Sequence, residues 1–175
     1  GGTLNTGTWQ SGKQALFAAT TPGAPLAYSV DLANFNTATH GNFTGIRALN
    51  GTVTFAGNVS NFELTTPATF TADPGAAIVF NQTRSGNDVL AFNPNGQPAT
   101  FHGDITLNCA GVASGSSIIV GSGNLKLGNA IANYSPAATT LQAGTMLTNL
   151  GDAGKAFSLG ALTLNGATLT ALNAG

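Results

Sequence analysis

The stretch ALTLNGATLTALNAG at 161–175 shows the rule by which this chain must fold. Leu162 and Leu164 alternate with Thr163, Asn165-Gly166 follows as a turn, a second run occupies 167–172, and 173–175 closes the segment. Period-two alternation over so few residues suits a strand with one face buried. Asn-Gly tolerates the positive φ of a tight turn. The same idiom recurs from end to end: a short apolar or Thr-rich run, a glycine or Asn-Gly, then another run. Nowhere does an apolar stripe hold helical spacing, and 131–134 offers at most one helical turn before Pro136. The expectation is an all-β chain with many tight turns.

Composition limits what such a chain can meet. Only 5 Lys+Arg and 6 Asp+Glu occur in 175 residues, a charged fraction of 6% against a usual ~25%. Thr (24), Gly (24) and Asn (18) fill the places that Lys and Glu take elsewhere. The net charge is −1, and no basic surface is available to neutralise phosphates, so nucleic acid is not an expected partner. No polybasic cluster faces an anionic membrane, and no apolar run is long enough to span one. Weak electrostatic repulsion between copies suits a molecule that packs against itself. A single cysteine, Cys109, excludes an internal disulfide and a thiolate zinc site; it reads as a small buried residue or as an interchain bridge. The opening Gly1-Gly2-Thr3, without Met or a signal peptide, reads as a mature or excised segment of a precursor.

One domain spans 1–175, Phe-rich to about residue 104 and Leu/Gly-rich from about 105. The early runs fall at 15–19 (strand or one helical turn), 26–35 with Tyr28, Val30 and Leu32 on one face, 43–49, 52–56, 59–64, 69–72, 77–80, 89–92 and 100–101. Phenylalanines at 35, 43, 55, 62, 70, 80, 92 and 101 are 7 to 12 apart, an all-β rhythm. Longer spacings of 20 (Phe35–Phe55), 18 (Phe62–Phe80), 21 (Phe80–Phe101) and 22 (Phe70–Phe92) fit internal ladders in a β-solenoid with coils of about 20 residues. In the second part Ile105/Leu107, Ile118/Val120, Leu125/Leu127, Leu162/Leu164 and Leu169 mark strands around a narrower core. The expected fold is a parallel β-solenoid of roughly seven to eight coils, stacked at about 4.8 Å. The alternative is an antiparallel β-sandwich or jelly roll, which the Asn-Gly pairs at 50–51, 95–96 and 165–166 would serve as hairpin turns.

Reactive groups are sparse. Asp31, Glu63, Asp73, Asp88, Asp104 and Asp152 are isolated in sequence. A glycosidase needs two carboxylates across a cleft, and the spacings of 15 and 16 allow Asp73 with Asp88, or Asp88 with Asp104, on neighbouring coils. Asp73-Pro74-Gly75 otherwise reads as a turn. His40 and His102 lack the partners of a metal motif, and His102 in TFHGD reads as a strand end. No GxSxG, P-loop or GGxGxD repeat occurs, and the five Asn-x-Ser/Thr sequons are close to what composition supplies. Thr-x-Thr at 52–54, 69–71 and elsewhere keeps no constant interval, which weakens an ice-binding ladder. Neither a cofactor nor a catalytic residue is expected.

Several passages look familiar together. TGTWQSGKQALFAA (6–19), GTVTFAGNVSNFEL (51–64), TTLQAGTMLTNLG (139–151) and FSLGALTLNGATLTALNAG (157–175) resemble the units of bacterial autotransporter-associated β-strand repeat proteins. The resemblance covers about half of the chain and is poor over 66–140. It implies a secreted bacterial surface protein with a parallel β-helix, serving as adhesin, stalk or matrix fibre, and it brings no catalytic residues.

The functional expectation is therefore a non-enzymatic, extracellular, self-associating or adhesive module of the bacterial cell surface, in the extreme a filament subunit. Its partners would be other copies of itself, with surface glycans as a further class. Joined end to end, the termini read TALNAG–GGTLNTGTW, close to a repeat unit, which nominates Gly1, Gly2, Thr3, Leu4, Leu169, Leu172, Asn173 and Gly175 as assembly residues. Two alternatives stand beside it: a carbohydrate-binding or carbohydrate-active β-solenoid, with Trp9, Tyr28 and Tyr134 too dispersed to form an aromatic row, and a phage or virion surface protein.

Overall fold

The computed structural model describes residues 12–18, 27–31, 44–56, 61–64, 66–81, 89–92, 98–109, 111–112, 114–128, 133–149 and 158–167. Within them the chain winds as a parallel β-solenoid with three walls. The first coil contributes β1 (Gln14–Phe17) and β2 (Ala27–Asp31); the second, β3 (Gly45–Ala48), β4 (Gly51–Ala56) and β5 (Asn61–Leu64). The third holds β6 (Ala68–Ala72), β7 (Ala76–Asn81) and β8 (Val89–Phe92). In the fourth, β9 (Ala99–Asn108) runs through two walls and β10 (Gly111–Val112) forms the third. The fifth repeats this with β11 (Ser117–Leu127) and β12 (Asn133–Tyr134). Then come β13 (Ala138–Gln142), β14 (Met146–Asn149) and, beginning one more turn, β15 (Ala161–Asn165).

Every pairing between these strands is parallel. The first wall runs β1-β3-β6-β9-β11-β13-β15, the second stacks β2, β4, β7, the later halves of β9 and β11, and β14, and the third runs β5-β8-β10-β12. About four turns show all three walls; the expected seven to eight coils are more than the structure shows. The sandwich alternative is excluded, because it would pair strands antiparallel. The lone antiparallel bridge among the described residues is Gln142↔Gly166, outside any strand pair. Asn50-Gly51 turns a corner between successive walls instead of closing a hairpin, Asn165-Gly166 ends β15, and Asn95-Gly96 lies outside the described residues.

Alternation does what the sequence requires of it. Strands β6 and β7 bury every second residue, and the inward rows line up in register through the stack. On the first wall Ile46, Phe70, Phe101, Val120 and Leu141 follow one another. On the second, Phe55, Phe80, Leu107 and Leu127 do so. The rings of Phe55 and Phe80 stack with centroids 5.1 Å apart, those of Phe70 and Phe101 at 5.2 Å, and Phe70 meets Phe80 edge-on at 5.5 Å. Offset-stacked and edge-to-face contacts of this kind add to the burial itself.

These ladders correct the expected pairings. Phe55 stacks on Phe80, 25 positions on, and Phe70 on Phe101, 31 positions on, whereas Phe80 and Phe101 belong to different walls. Coil length also varies along the chain: Ile46 to Phe70 is 24 positions, Phe101 to Val120 is 19 and Val120 to Leu141 is 21. Phe35, Phe43, Trp9, Leu32 and Leu169 lie outside the described residues. Of the run at 15–19, residues 15–17 lie in the strand β1, and the described part of 131–134 is the strand β12. Tyr28 and Val30 do share the half-buried face of β2. Cys109 is fully buried, its Sγ donating to the Gly111 carbonyl at 3.3 Å, which removes it from any interchain bridge.

Tyr134 is the largest fully buried side chain. Its hydroxyl lies 3.5 Å from Thr139 Oγ1, and burial pushes its pKa up to about 12. The folded value is raised above the unfolded one, near 10. The stabilisation from keeping this phenol neutral is therefore complete below pH 10 and is lost as pH rises through about 12. Two units correspond to about 3 kcal/mol. Urea midpoints measured between pH 9 and 12 should fall accordingly, and Tyr134→Phe should flatten that part of the profile. A profile unchanged by Tyr134→Phe would show that the phenol is not shielded.

Candidate functional site

The first and second walls meet at a corner that carries a glycine in each coil from the second to the sixth, and Gly166 follows β15 in the same backbone conformation. Gly51, Gly75, Gly103, Gly123, Gly144 and Gly166 all have φ between +71 and +87°. Left-handed backbone is costly for a residue with a Cβ. The corners nevertheless differ in shape. In the fourth and fifth coils the chain passes the corner inside one continuous strand, and the corner glycines pack tightly: a Cβ on Gly103 would meet the Ala72 carbonyl oxygen at 2.0 Å, and one on Gly123 the Gly103 oxygen at 2.5 Å. In the third and sixth coils the strand breaks at the corner, over 73–75 and 143–145, and Pro74-Gly75 and Ala143-Gly144 form exposed turns. A Cβ on Gly75 or Gly144 would meet nothing within 4 Å.

Two tight corners between two projecting ones make a saddle. Its volume is about 660 Å³; Pro74 and Gly75 stand at one end, Gly144 and Met146 at the other, and His102, Asp104, Ser122, Asn124 and Lys126 line the floor around Gly103 and Gly123. The floor groups come from adjacent coils, brought side by side by the parallel register. His102 Nδ1 and Ser122 Oγ share a hydrogen bond of 3.0 Å. Glycine at 121 makes room for this, since a Cβ there would meet His102 Cε1 at 2.3 Å. Lys126 Nζ lies 2.7 and 2.8 Å from the two carboxylate oxygens of Asp104. Thr148 Oγ1 donates to Asn124 Oδ1 at 2.9 Å. At the rim Arg47 donates through Nε and Nη2 to both oxygens of Asp73, each at 3.0 Å. That bidentate contact with Asp73 raises the Arg47 pKa.

Asp73 and Asp104 border one groove, and both oxygens of each accept from a cation on the neighbouring coil. Asp88, the proposed intermediary in both carboxylate pairs, lies outside the described residues, as do His40, Arg84 and Asp152. Asp73-Pro74-Gly75 is a turn, as expected. His102 is not a strand end: it lies in the interior of β9 and faces Ser122, a residue the sequence did not single out. Among the described residues no carboxylate bonds its other ring nitrogen, so the serine–histidine pair lacks the orienting third group of a nucleophilic site. No three metal-ligating side chains gather among the described residues. Tyr28 packs edge-on against Phe17 and donates to Asn50 Oδ1 at 3.2 Å, and Tyr134 is buried, so neither supplies an exposed stacking platform. The Thr-x-Thr pairs at 52–54 and 69–71 fall on different walls and form no common flat array. The assembly residues Gly1, Gly2, Thr3, Leu4, Leu169, Leu172, Asn173 and Gly175 all lie outside the described residues.

A second feature is the strand at the far end of the first wall. One side of β15 is bonded to β13, and among the described residues no strand pairs with its other side. All five of its residues are exposed, including Leu162 at 38% and Leu164 at 44%, although Leu164 continues the inward row of Val120 and Leu141.

No protein-family model matches the chain, and no curated protein or solved structure was found to match it. No helix among the described residues is long and apolar enough to cross a membrane. The class defined by the fold is the parallel β-solenoid, and function must be argued from its surfaces.

Proposed function

We propose that this protein is a non-enzymatic structural module of the bacterial cell surface that associates with further copies of itself by continuing the β-stack. The observation that carries this reading is β15: a strand bonded on one side to β13 and, among the described residues, paired with no strand on the other, beside two leucines that are two-fifths exposed. Such an edge templates another strand unless charge or a cap blocks it, and β15 (ALTLN) carries no charge. The low overall charge and the resemblance to autotransporter-associated repeats support the extracellular setting. Fibre, stalk and adhesive roles are all compatible with a module of this kind.

Burying the rest of Leu162 and Leu164 is worth roughly 1 kcal/mol each. The double variant Leu162→Lys/Leu164→Lys should therefore weaken association by more than tenfold. Sedimentation velocity over a hundredfold concentration range, with negative-stain imaging, is the test. Concentration-dependent assemblies that the double variant disperses are the expected result. A monodisperse monomer at the highest concentration would refute self-association.

A second reading, a glycan-binding surface, is favoured by one observation. The saddle across the corner combines apolar surface with a floor whose ionic groups are internally balanced.

A further inference from the structure

We propose that the saddle binds a short neutral oligosaccharide, laid along the solenoid axis over Gly103 and Gly123. This rests on the glycan reading and assigns it to a place. The groove volume of about 660 Å³ falls within the roughly 300–1,000 Å³ of small-molecule sites. From the third coil to the sixth is three coil spacings, about 14 Å, an extent suited to a trisaccharide.

The lining selects the ligand class. Hydroxyl-rich rings need donors and acceptors close together, and the floor supplies an amide, a hydroxyl, an imidazole and a carboxylate beside an ammonium. Asn124 gives its oxygen to Thr148, and its NH₂ group is engaged by no described residue. Ser122 is exposed and has both donor and acceptor capacity. Lys126 is matched by Asp104 and Arg47 by Asp73, so the groove holds no surplus charge for a phosphate or an acidic peptide. A peptide would also find no strand to extend. On the floor, β9 is paired on one side with β6 and β7 and on the other with β11, which in turn is paired with β13 and β14. Met146, 57% exposed, and the exposed Pro74 give apolar surface at the two ends for the C–H faces of the sugar.

The test uses the full chain with a panel of neutral trisaccharides of gluco-, manno-, galacto- and xylo-configuration, and trigalacturonate as the charged control. Binding is read by saturation-transfer NMR and calorimetry. At least one neutral trisaccharide is expected to bind with millimolar or tighter Kd. His102→Ala/Asn124→Ala should weaken it at least tenfold, and Ser122→Tyr should block it by filling the floor. Both variants change outward-facing residues, so melting temperature and self-association should stay as in the parent chain. Neutral-sugar binding indifferent to both variants would overturn the saddle and leave the glycan reading standing. Absence of binding across the panel would overturn both, and a preference for trigalacturonate would overturn the neutral assignment.

Discussion

Gly103→Ala is expected to destabilise the protein by more than 4 kcal/mol, a loss comparable to the whole stability of many domains, about 5–15 kcal/mol. Two costs combine. At φ +87° a side chain incurs about 1–2 kcal/mol of left-handed strain. The new Cβ would also lie 2.0 Å from the Ala72 carbonyl oxygen and 3.0 Å from its carbon. That oxygen belongs to the backbone of the coil below and cannot rotate away as a side chain can. Relief would require the fourth coil to lift off the third, which breaks the ladder between β6 and β9. Gly75→Ala and Gly144→Ala isolate the first cost from the second. Their φ values, +84° and +74°, are nearly the same, yet no atom lies within 4 Å of the added methyl. Each should cost about 1–2 kcal/mol and lower Tm by roughly 2–8 °C. Thermal and urea unfolding of the three variants would decide it. Equal losses at all three sites would mean that backbone conformation, and not inter-coil contact, sets the tightness of the corner.

That contrast also marks how far the sequence could be read. Local features were legible because they depend on near neighbours. The run at 89–92 is β8 to the residue, 69–72 falls within β6, and Leu162/Leu164 lie on β15. Parallel stacking was legible from the dense glycine punctuation and the ladder logic of the phenylalanines. Which phenylalanine meets which was not. A ladder partner is fixed by the length of a full coil, and that length runs from 19 positions (Phe101 to Val120) to 31 (Phe70 to Phe101). No single period fits such a range, so spacings near 20 paired Phe80 with Phe101 across two different walls.

The candidate site failed to show for the same reason, with one addition. Coils of about 20 residues bring Asp73 or Asp104 near Asp88 but not near each other, because their 31-residue separation lies outside such a coil. His102 finds Ser122 at an offset of 20, but only through the register shift between Val120 and Ser122. That irregularity adds one residue to the outer row at the corner. The hydrophobic pattern records it: in β11 the inward row passes from even positions (Ile118, Val120) to odd ones (Leu125, Leu127), whereas in β9 it keeps to odd positions throughout (Phe101, Ile105, Leu107). Gly121 is a second signal: a glycine inside a strand marks a bulge or a close approach, and here it marks the place where the imidazole lies.

Phe70→Ala should be the most damaging of the core truncations, at about 3–5 kcal/mol. Its ring stacks on Phe101, meets Phe80 edge-on, and follows Ile46 in the inward row, so its removal leaves a cavity where both ladders touch. Rotation of Phe101 or Phe80 into the space would give up their own stacking within the row. A solenoid is close to one-dimensional, each coil held chiefly by the coils on either side. A cavity in the third coil therefore weakens two interfaces, whereas truncation in β15, which among the described residues pairs only with β13, weakens one. Leu164→Ala is the matched comparison: a side chain in the continuation of the same row, already 44% exposed, should cost about 1 kcal/mol. Hydrogen exchange would locate the damage. In Phe70→Ala the amides of β3, β6 and β9 should lose protection together, while β11 and β13 keep more of theirs through Val120 and Leu141. A double-mutant cycle with Phe101→Ala should return a coupling of about 0.5–1.5 kcal/mol, the share owed to ring stacking beyond burial. Uniform loss of protection along the whole stack would show that the coils unfold as one cooperative unit and that the two aromatic rows are not a separable nucleus.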